Sequence, residues 1–201
     1  MKPIILGASL GLLAFFLVPS AYAQPGEGGT AFAEIKAGID YWALNDDYDG
    51  DAKDSSRSAQ IGYRWGMGDN SGFGIEGGYI DFGHIHKTNG SVEYTAKGRA
   101  VTVGIDYEYA SGGMSNGFLI NVRGGVLRWQ GNATGSVDVN YLGQLDLIGM
   151  DTGTGTYAGL GLGYYFSSRL ALTVNYDYYQ ADIFSGTAKF TVYSIGAEFR
   201  F

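Results

Sequence analysis

Six charged residues draw attention by where they fall: Lys36, Arg64 and Arg123, and Glu76, Asp106 and Glu198. Each lies one position from apolar or aromatic residues that recur at every second place. Each therefore belongs to the polar face of a strand whose other face is apolar. Counted along their strands they fall at broadly similar depth, three positive groups against three negative. A charge held away from water needs a partner. The pattern predicts a network of ion pairs, with Asn121 and bound water satisfying what remains. The competing expectation is that the same charges line a thin hydrated channel.

Other residues with chemical potential are less complete. Asn45 to Gly50 places oxygen side chains at positions one, three and five and glycine at six, like the start of a calcium loop, but position twelve is Ser56 and not a bidentate glutamate. A solvated acidic loop accounts for it. His84 and His86 are two apart, and two imidazoles without a third ligand do not make a metal site. A nucleophilic triad is defined by geometry, which leaves Ser91 or Ser56 open as a nucleophile. No His-x-Ser arrangement accompanies them, so no catalytic residue, metal or cofactor is expected. Asn132-Ala-Thr134 fits a glycosylation sequon by chance.

Eight segments must position these groups. Their apolar stripes are Ala33-Ile35-Ala37-Ile39-Tyr41, Ala59-Ile61-Tyr63-Trp65-Met67, Phe73-Ile75-Tyr79, and Val101-Val103-Ile105-Tyr107. The next four are Phe118-Ile120-Val122-Val126, Ala158-Leu160-Leu162-Tyr164-Phe166, Leu170-Leu172-Val174-Tyr176-Tyr178, and Tyr193-Ile195-Ala197-Phe199-Phe201. The links after the second, fourth and sixth are short, at 68–72, 110–117 and 167–169. Those after the first, third, fifth and seventh are longer and polar, centred on 46–56, 84–93, 130–151 and 180–188.

Composition agrees. Thirty-four glycines, 16 tyrosines and 11 phenylalanines stand against 3 prolines and no cysteine, which suits strands and turns without disulfide staples. At the N-terminus, Lys2 precedes the apolar run Ile4–Val18, broken by Pro19 and Ser20 and followed by Ala21-Tyr22-Ala23. This is the pattern of a secretory leader, residues 1–23, cleaved before Gln24. The run is shorter than the roughly 20 residues that span a bilayer as a helix. Losing Lys2 takes the net charge from −7 to −8, a balance that argues against nucleic acid. Residues 24–201 suit one domain.

Short turns on one rim and long links on the other, with aromatics towards both ends of the apolar stripe, match a membrane-spanning barrel. Tyr41 and Tyr79 mark one girdle; Trp65, Phe73, Tyr107, Phe118, Phe166 and Phe199 mark the other. A soluble barrel would turn the apolar face inward. The expected fold is all-β, an eight-stranded antiparallel up-and-down transmembrane β-barrel with both termini on the short-turn rim.

Glu76–Gly83, Arg123–Trp129, Tyr157–Phe166, Leu172–Tyr179 and Tyr193–Phe201 resemble strands of the OmpA-type transmembrane domain, and the likeness covers nearly all of residues 24–201. The resemblance implies a Gram-negative outer-membrane location, contact with outer-membrane lipid and lipopolysaccharide, and periplasmic termini. It implies an assembly signal in Tyr193, Ile195, Phe199 and Phe201, read by the outer-membrane assembly machinery. Many members continue into a periplasmic peptidoglycan-binding domain; this chain stops at the barrel, so cell-wall tethering is not carried over. The expected role is structural or surface-interacting, with four extracellular loops available to a host or matrix ligand. The alternatives are a narrow low-conductance pore and a lipid A-modifying enzyme.

Overall fold

The computed structural model describes residues 28–44, 47–89, 92–112, 116–139, 143–183 and 186–201; the expected leader lies outside them. Eight strands follow in chain order: β1 Gly29–Leu44, β2 Asp47–Gly66, β3 Ser71–Asn89, β4 Val92–Ala110, β5 Gly117–Val139, β6 Gly143–Ser167, β7 Leu170–Ile183 and β8 Gly186–Arg200. Each pairs antiparallel with the next, and β1 pairs with β8 to close the barrel. Around the closed part of the ladder, below the hairpin extensions, each strand pairs on both sides, so the lipid interior meets no unpaired strand edge, which it would penalise heavily.

The side-chain alternation sorts the two faces. Val103, Val174 and Ile195 are more than 60% exposed on the outside, whereas Glu34, Arg64, Arg123 and Glu198 are about 5% exposed or less inside. An apolar outer face and a charged interior invert the soluble arrangement and suit a lipid surround.

The strands run further than the alternation indicates. Most of 46–56, 84–93, 130–151 and 180–188, expected as loops, is paired strand: β2 begins at Asp47, and the β5–β6 ladder continues to Val139 opposite Gly143. An apolar stripe reports contact with lipid. Above that level the stripe ends, but the hydrogen-bonded ladder has no reason to stop. Four long hairpins therefore rise from one rim, and the other carries the connections 67–70, 111–116 and 168–169.

Two glycines shape this frame. In β3 the register with β4 shifts between Asp81 and His84, and Gly83 there has φ of 71°, a left-handed conformation that a bulge demands and glycine supplies. Gly104 faces inward opposite Glu76. A Cβ on Gly104 would collide with the Tyr157 hydroxyl and the Gly124 carbonyl. Gly104→Ala is expected to destabilise the folded barrel by about 1–3 kcal/mol through overpacking, measured by urea titration in lipid vesicles; an unchanged midpoint would show that the tyrosine has room to move.

The interior packs in two zones. Towards the long hairpins it is aromatic: Phe82 and Phe190 stack at 4.5 Å, Trp129 and Phe190 at 4.8 Å, and Trp42 meets Phe190 edge-on at 4.7 Å. These rings come from inward positions just past the lipid level, where an apolar residue fills space without facing membrane. Towards the short turns the interior is charged.

Candidate functional site

The charged zone forms two linked layers. In the first, nearer the short turns, the Arg64 guanidinium reaches three carboxylates. Its Nε donates to Asp106 Oδ2 at 2.7 Å, and Nη1 and Nη2 fork onto Glu198 at 3.2 and 3.3 Å. Nη1 also lies 3.0 Å from Glu108 Oε2. Arg200 donates from Nε to Glu198 at 2.9 Å and pairs through Nη2 with Glu108. The Tyr165 hydroxyl donates to Glu108 at 2.6 Å. Asn121 Nδ2 donates to Asp106 at 3.2 Å. Arg64 lies over the Phe32 ring and Arg200 over the Tyr165 ring, so aromatic faces shield both guanidinium planes.

In the second layer Arg123 grips Asp177 with two parallel bonds, Nε to Oδ1 at 2.8 Å and Nη2 to Oδ2 at 3.0 Å. This bidentate geometry is the strong form of the arginine–carboxylate pair. Its Nη1 reaches Glu34 at 3.3 Å and its Nη2 reaches Asn175 at 3.0 Å. Lys36 donates to the same Asp177 at 3.2 Å. Thr173 donates to Glu34 at 2.7 Å. Glu76 accepts a 2.6 Å bond from the Tyr157 hydroxyl, at the boundary with the aromatic zone.

The seven residues singled out in the sequence are thus all buried in the lumen, but they divide among different partners. Arg64, Asp106, Glu198 and Asn121 meet in the first layer. Arg123 and Lys36 meet in the second, on a carboxylate outside the expected set, and Glu76 is bonded by a phenol. Sequence reasoning passed over Glu34, Glu108, Asp177 and Arg200 as network members. Their parity was visible: Glu34 is two residues before Lys36, Glu108 two after Asp106, and Arg200 two after Glu198. The expected three-to-three balance is also corrected. Among the described residues, four buried cations (Lys36, Arg64, Arg123, Arg200) face seven buried carboxylates (Glu34, Asp40, Glu76, Asp106, Glu108, Asp177, Glu198).

The void between the layers, bounded by Phe32, Glu76, Asn121 and Asn175 among others, measures about 10 Å³, roughly the space of one water molecule. A hydrated ion does not fit it. Among the described residues no three histidine or acidic side chains gather to hold a metal. The side chains of Asn45–Ala52 and His86, and Ser91 itself, lie outside the described residues. Ser56 is buried in the interior, whereas the His84 side chain is exposed outside near Asp54; these two are not brought together.

An apolar belt outside, a closed ladder and a charge-filled interior are what a membrane barrel requires, and the sequence matches the outer membrane protein beta-barrel domain family over residues 8–201. The chain belongs to that family. No curated protein matches it. Among solved structures, the barrel is similar to Ail, the attachment invasion locus protein of Yersinia pestis, in complex with the heparin analogue sucrose octasulfate. That match has 14% identity and a TM-score of 0.53, and covers 87% of this chain and 99% of that one. Ail alone matches at 17% identity and a TM-score of 0.51, with the same coverage. The N-terminal β-barrel domain of Pseudomonas aeruginosa OprF matches at 18% identity and a TM-score of 0.46, covering 88% and 99%. The likeness to Ail at this identity is one of fold. As an outer-membrane barrel, the protein sets its exposed Val, Ile and Leu stripe against lipid, and its lumen is a packed interior.

Proposed function

We propose that this protein is a non-catalytic, non-conducting outer-membrane scaffold that presents its four long hairpins outside the cell for contact with a host or matrix ligand. The observation that carries the reading is the pairing of a filled lumen with hairpins that extend as ordered ladder beyond the lipid belt. A filled lumen transports nothing, so the surface left for function is the hairpin rim. Barrels of this kind place short turns in the periplasm and long connections outside, which puts both termini in the periplasm. The leader is removed after Ala23, and Tyr193, Ile195, Phe199 and Phe201 of β8 serve as the signal for the assembly machinery. The similar barrel Ail carries attachment in its name and was crystallised with a heparin analogue, which supports a contact role.

The chain has no cysteine, so single cysteines report orientation directly. A membrane-impermeant maleimide is expected to label Asp182→Cys, exposed on β7 towards the long hairpins, in intact cells. It should label Asp69→Cys, exposed in a short turn, only after the outer membrane is opened. The reverse pattern overturns the orientation. Large, steady conductance in planar bilayers would make the protein a pore, and altered lipid A in an overexpressing strain would make it an enzyme.

A further inference from the structure

We propose that Asp40 and Asp54 form a proton-sensitive catch that ties the aromatic zone to the long hairpins, closed while the pair holds a proton and slack when both carboxyls ionise. The two residues are direct partners across the β1–β2 ladder. Both fall on the inward parity of their strands, in step with buried Lys36 and Ser56. Side chains directly opposite in an antiparallel pair have their Cβ atoms about 4.5–5.5 Å apart, and like charges there repel. On the outer face of β2 the residues beside Asp54 are Lys53 and Ser55, opposite Tyr41 and Ile39. The pair therefore stands at the hairpin base, where the apolar stripe of β2 has given way to polar residues.

Each acid holds a different part. Asp40 is 0% exposed. The Trp42 indole N–H donates to its Oδ2, while Oδ1 has no hydrogen-bond partner among the described residues. Trp42 in turn meets Phe82, Trp129 and Phe190 edge-on, so Asp40 fixes a ring at the centre of the aromatic zone. Asp54 closes another joint. The described β2–β3 ladder reaches Arg57–Asp81 at its hairpin end. Just past it, Asp54 Oδ2 accepts the His84 backbone N–H at 2.6 Å and Oδ1 accepts that of Ser55 at 2.7 Å. A carboxylate thus joins β2 to β3 where ladder bonds give out, beside the bulge at Gly83.

The two environments set the two acids apart. Lys36, the next charged residue inward on β1, is committed to Asp177 at 3.2 Å. From β8 the residue opposite Asp40 is Val192. The surrounding zone adds two phenols, Tyr157 and Tyr179, the first of them bonded to Glu76. The exposed His84 imidazole stands 3.8 Å from Asp54, and so serves the outer acid. Burial pushes the Asp40 carboxyl up to about 7, the nearby Asp54 charge adds to the rise, and the Trp42 bond only partly opposes it. Partial burial also pushes Asp54 up, but its two backbone donors and His84 outweigh that and hold it below its ordinary value. One proton therefore belongs on Asp40 while Asp54 stays ionised.

Between the ordinary carboxylate range and about pH 7 the folded barrel binds a proton at Asp40 that the unfolded chain does not. Stability from this group therefore falls as pH rises across that window. Above it, an unpaired charge stands among rings and repels Asp54. Relief comes by releasing Trp42 or the Gly83 bulge. Asp54 acts in the opposite sense, its bonds being lost only as acid takes the pH down through its lowered value. The catch is thus firm in a mildly acidic medium and slack in a mildly alkaline one, and the order of the hairpin bases follows it.

The test is a pH titration of the ¹⁵N-labelled full barrel in micelles, following the Trp42 indole N–H and the His84 backbone amide by NMR. In wild type both signals should shift together with one midpoint near pH 7. Asp40→Asn keeps an acceptor for the indole and should leave both signals flat across that window. Asp54→Asn removes the like charge and should move the Trp42 midpoint to lower pH. His84→Gln should leave the Trp42 titration as in wild type. In urea titrations, the ratio of the Asp40→Asn folding constant to that of wild type should grow about tenfold per pH unit between roughly pH 5 and 7. A flat Trp42 signal in wild type, a wild-type titration in Asp40→Asn, or its loss in His84→Gln overturns the proposal. So does a Trp42 shift that the His84 amide does not follow, which would leave the zone and the hairpins uncoupled. If Asp40→Asn does not fold, Asp54→Asn decides alone, and an unmoved Trp42 midpoint in it is fatal. The titration reads the same whichever way the barrel faces, so its failure leaves the scaffold reading untouched.

Discussion

Arg123→Ala is expected to cost the folded barrel about 3–5 kcal/mol, the penalty for leaving a buried partner uncompensated. The substitution removes both bonds to Asp177, the contact with Glu34 and the bond to Asn175. Lys36 alone then faces two carboxylates in a space with room for about one water. Urea titration of vesicle-embedded protein measures the loss, and planar-bilayer recording of the same variant should show more frequent small openings. The double variant Arg123→Met/Asp177→Leu separates charge from packing. A buried pair exchanged for apolar residues of similar volume is often neutral or stabilising, so much of the loss should return. If Arg123→Ala is as stable and as closed as wild type, the lumen is more hydrated than its packing indicates, and the filled-scaffold reading fails.

Arginine on the lipid face gives the second large effect, and its size should depend on depth. Val103→Arg is expected to cost about 2–4 kcal/mol, the range for arginine near the bilayer midplane, whereas Val101→Arg should cost about 0–1 kcal/mol, as near an interface. The reason for the difference is already in the fold. Val101 pairs across the ladder with Arg128, an exposed arginine on the outer surface at that level, so that row sits where a guanidinium is tolerated. Thr102 is not a permissive control between them: it is buried on the inner side, in a lumen too full for a longer side chain. Equal losses at 101 and 103 in the same vesicles would mean that the lipid boundary is drawn in the wrong place.

The strand count, the closure, the facing of every apolar stripe and the inward position of all seven chosen lumen residues were legible, because period-two alternation is imposed directly by a lipid exterior. The lengths were not. Asp47–Ser56 and Gln130–Val139 lack an apolar stripe and so looked like loops, although their backbones pair. Nor were the partners legible. Asp106 and Arg123 stand opposite each other on neighbouring strands, the obvious pair from sequence, yet Arg123 turns to β7 and β1 and Asp106 bonds Arg64 on β2. In a barrel with strands tilted by roughly 40°, depth counted along a strand is not height along the axis. Contacts across the lumen are therefore decided by a geometry that no single strand carries. The aromatic zone escaped for a related reason: Trp42, Phe82 and Phe190 are separated by long sequence intervals and meet only when the barrel closes.

The pairing of β1 with β8 has a consequence for biogenesis. Glu34 stands beside Glu198, and the backbone N–H of Phe201 binds the Ala31 carbonyl at 3.0 Å. Without the last strand the free edge of the first has no ladder partner. That last strand also carries Glu198 and Arg200, so the seam and the inner charge set depend on the same segment. A chain cut short before this strand would keep an open seam, leave Arg64 without its forked partner, and lack the aromatic residues proposed as the assembly signal. Closing the wall and completing the inner charge set therefore depend on the same few residues of β8.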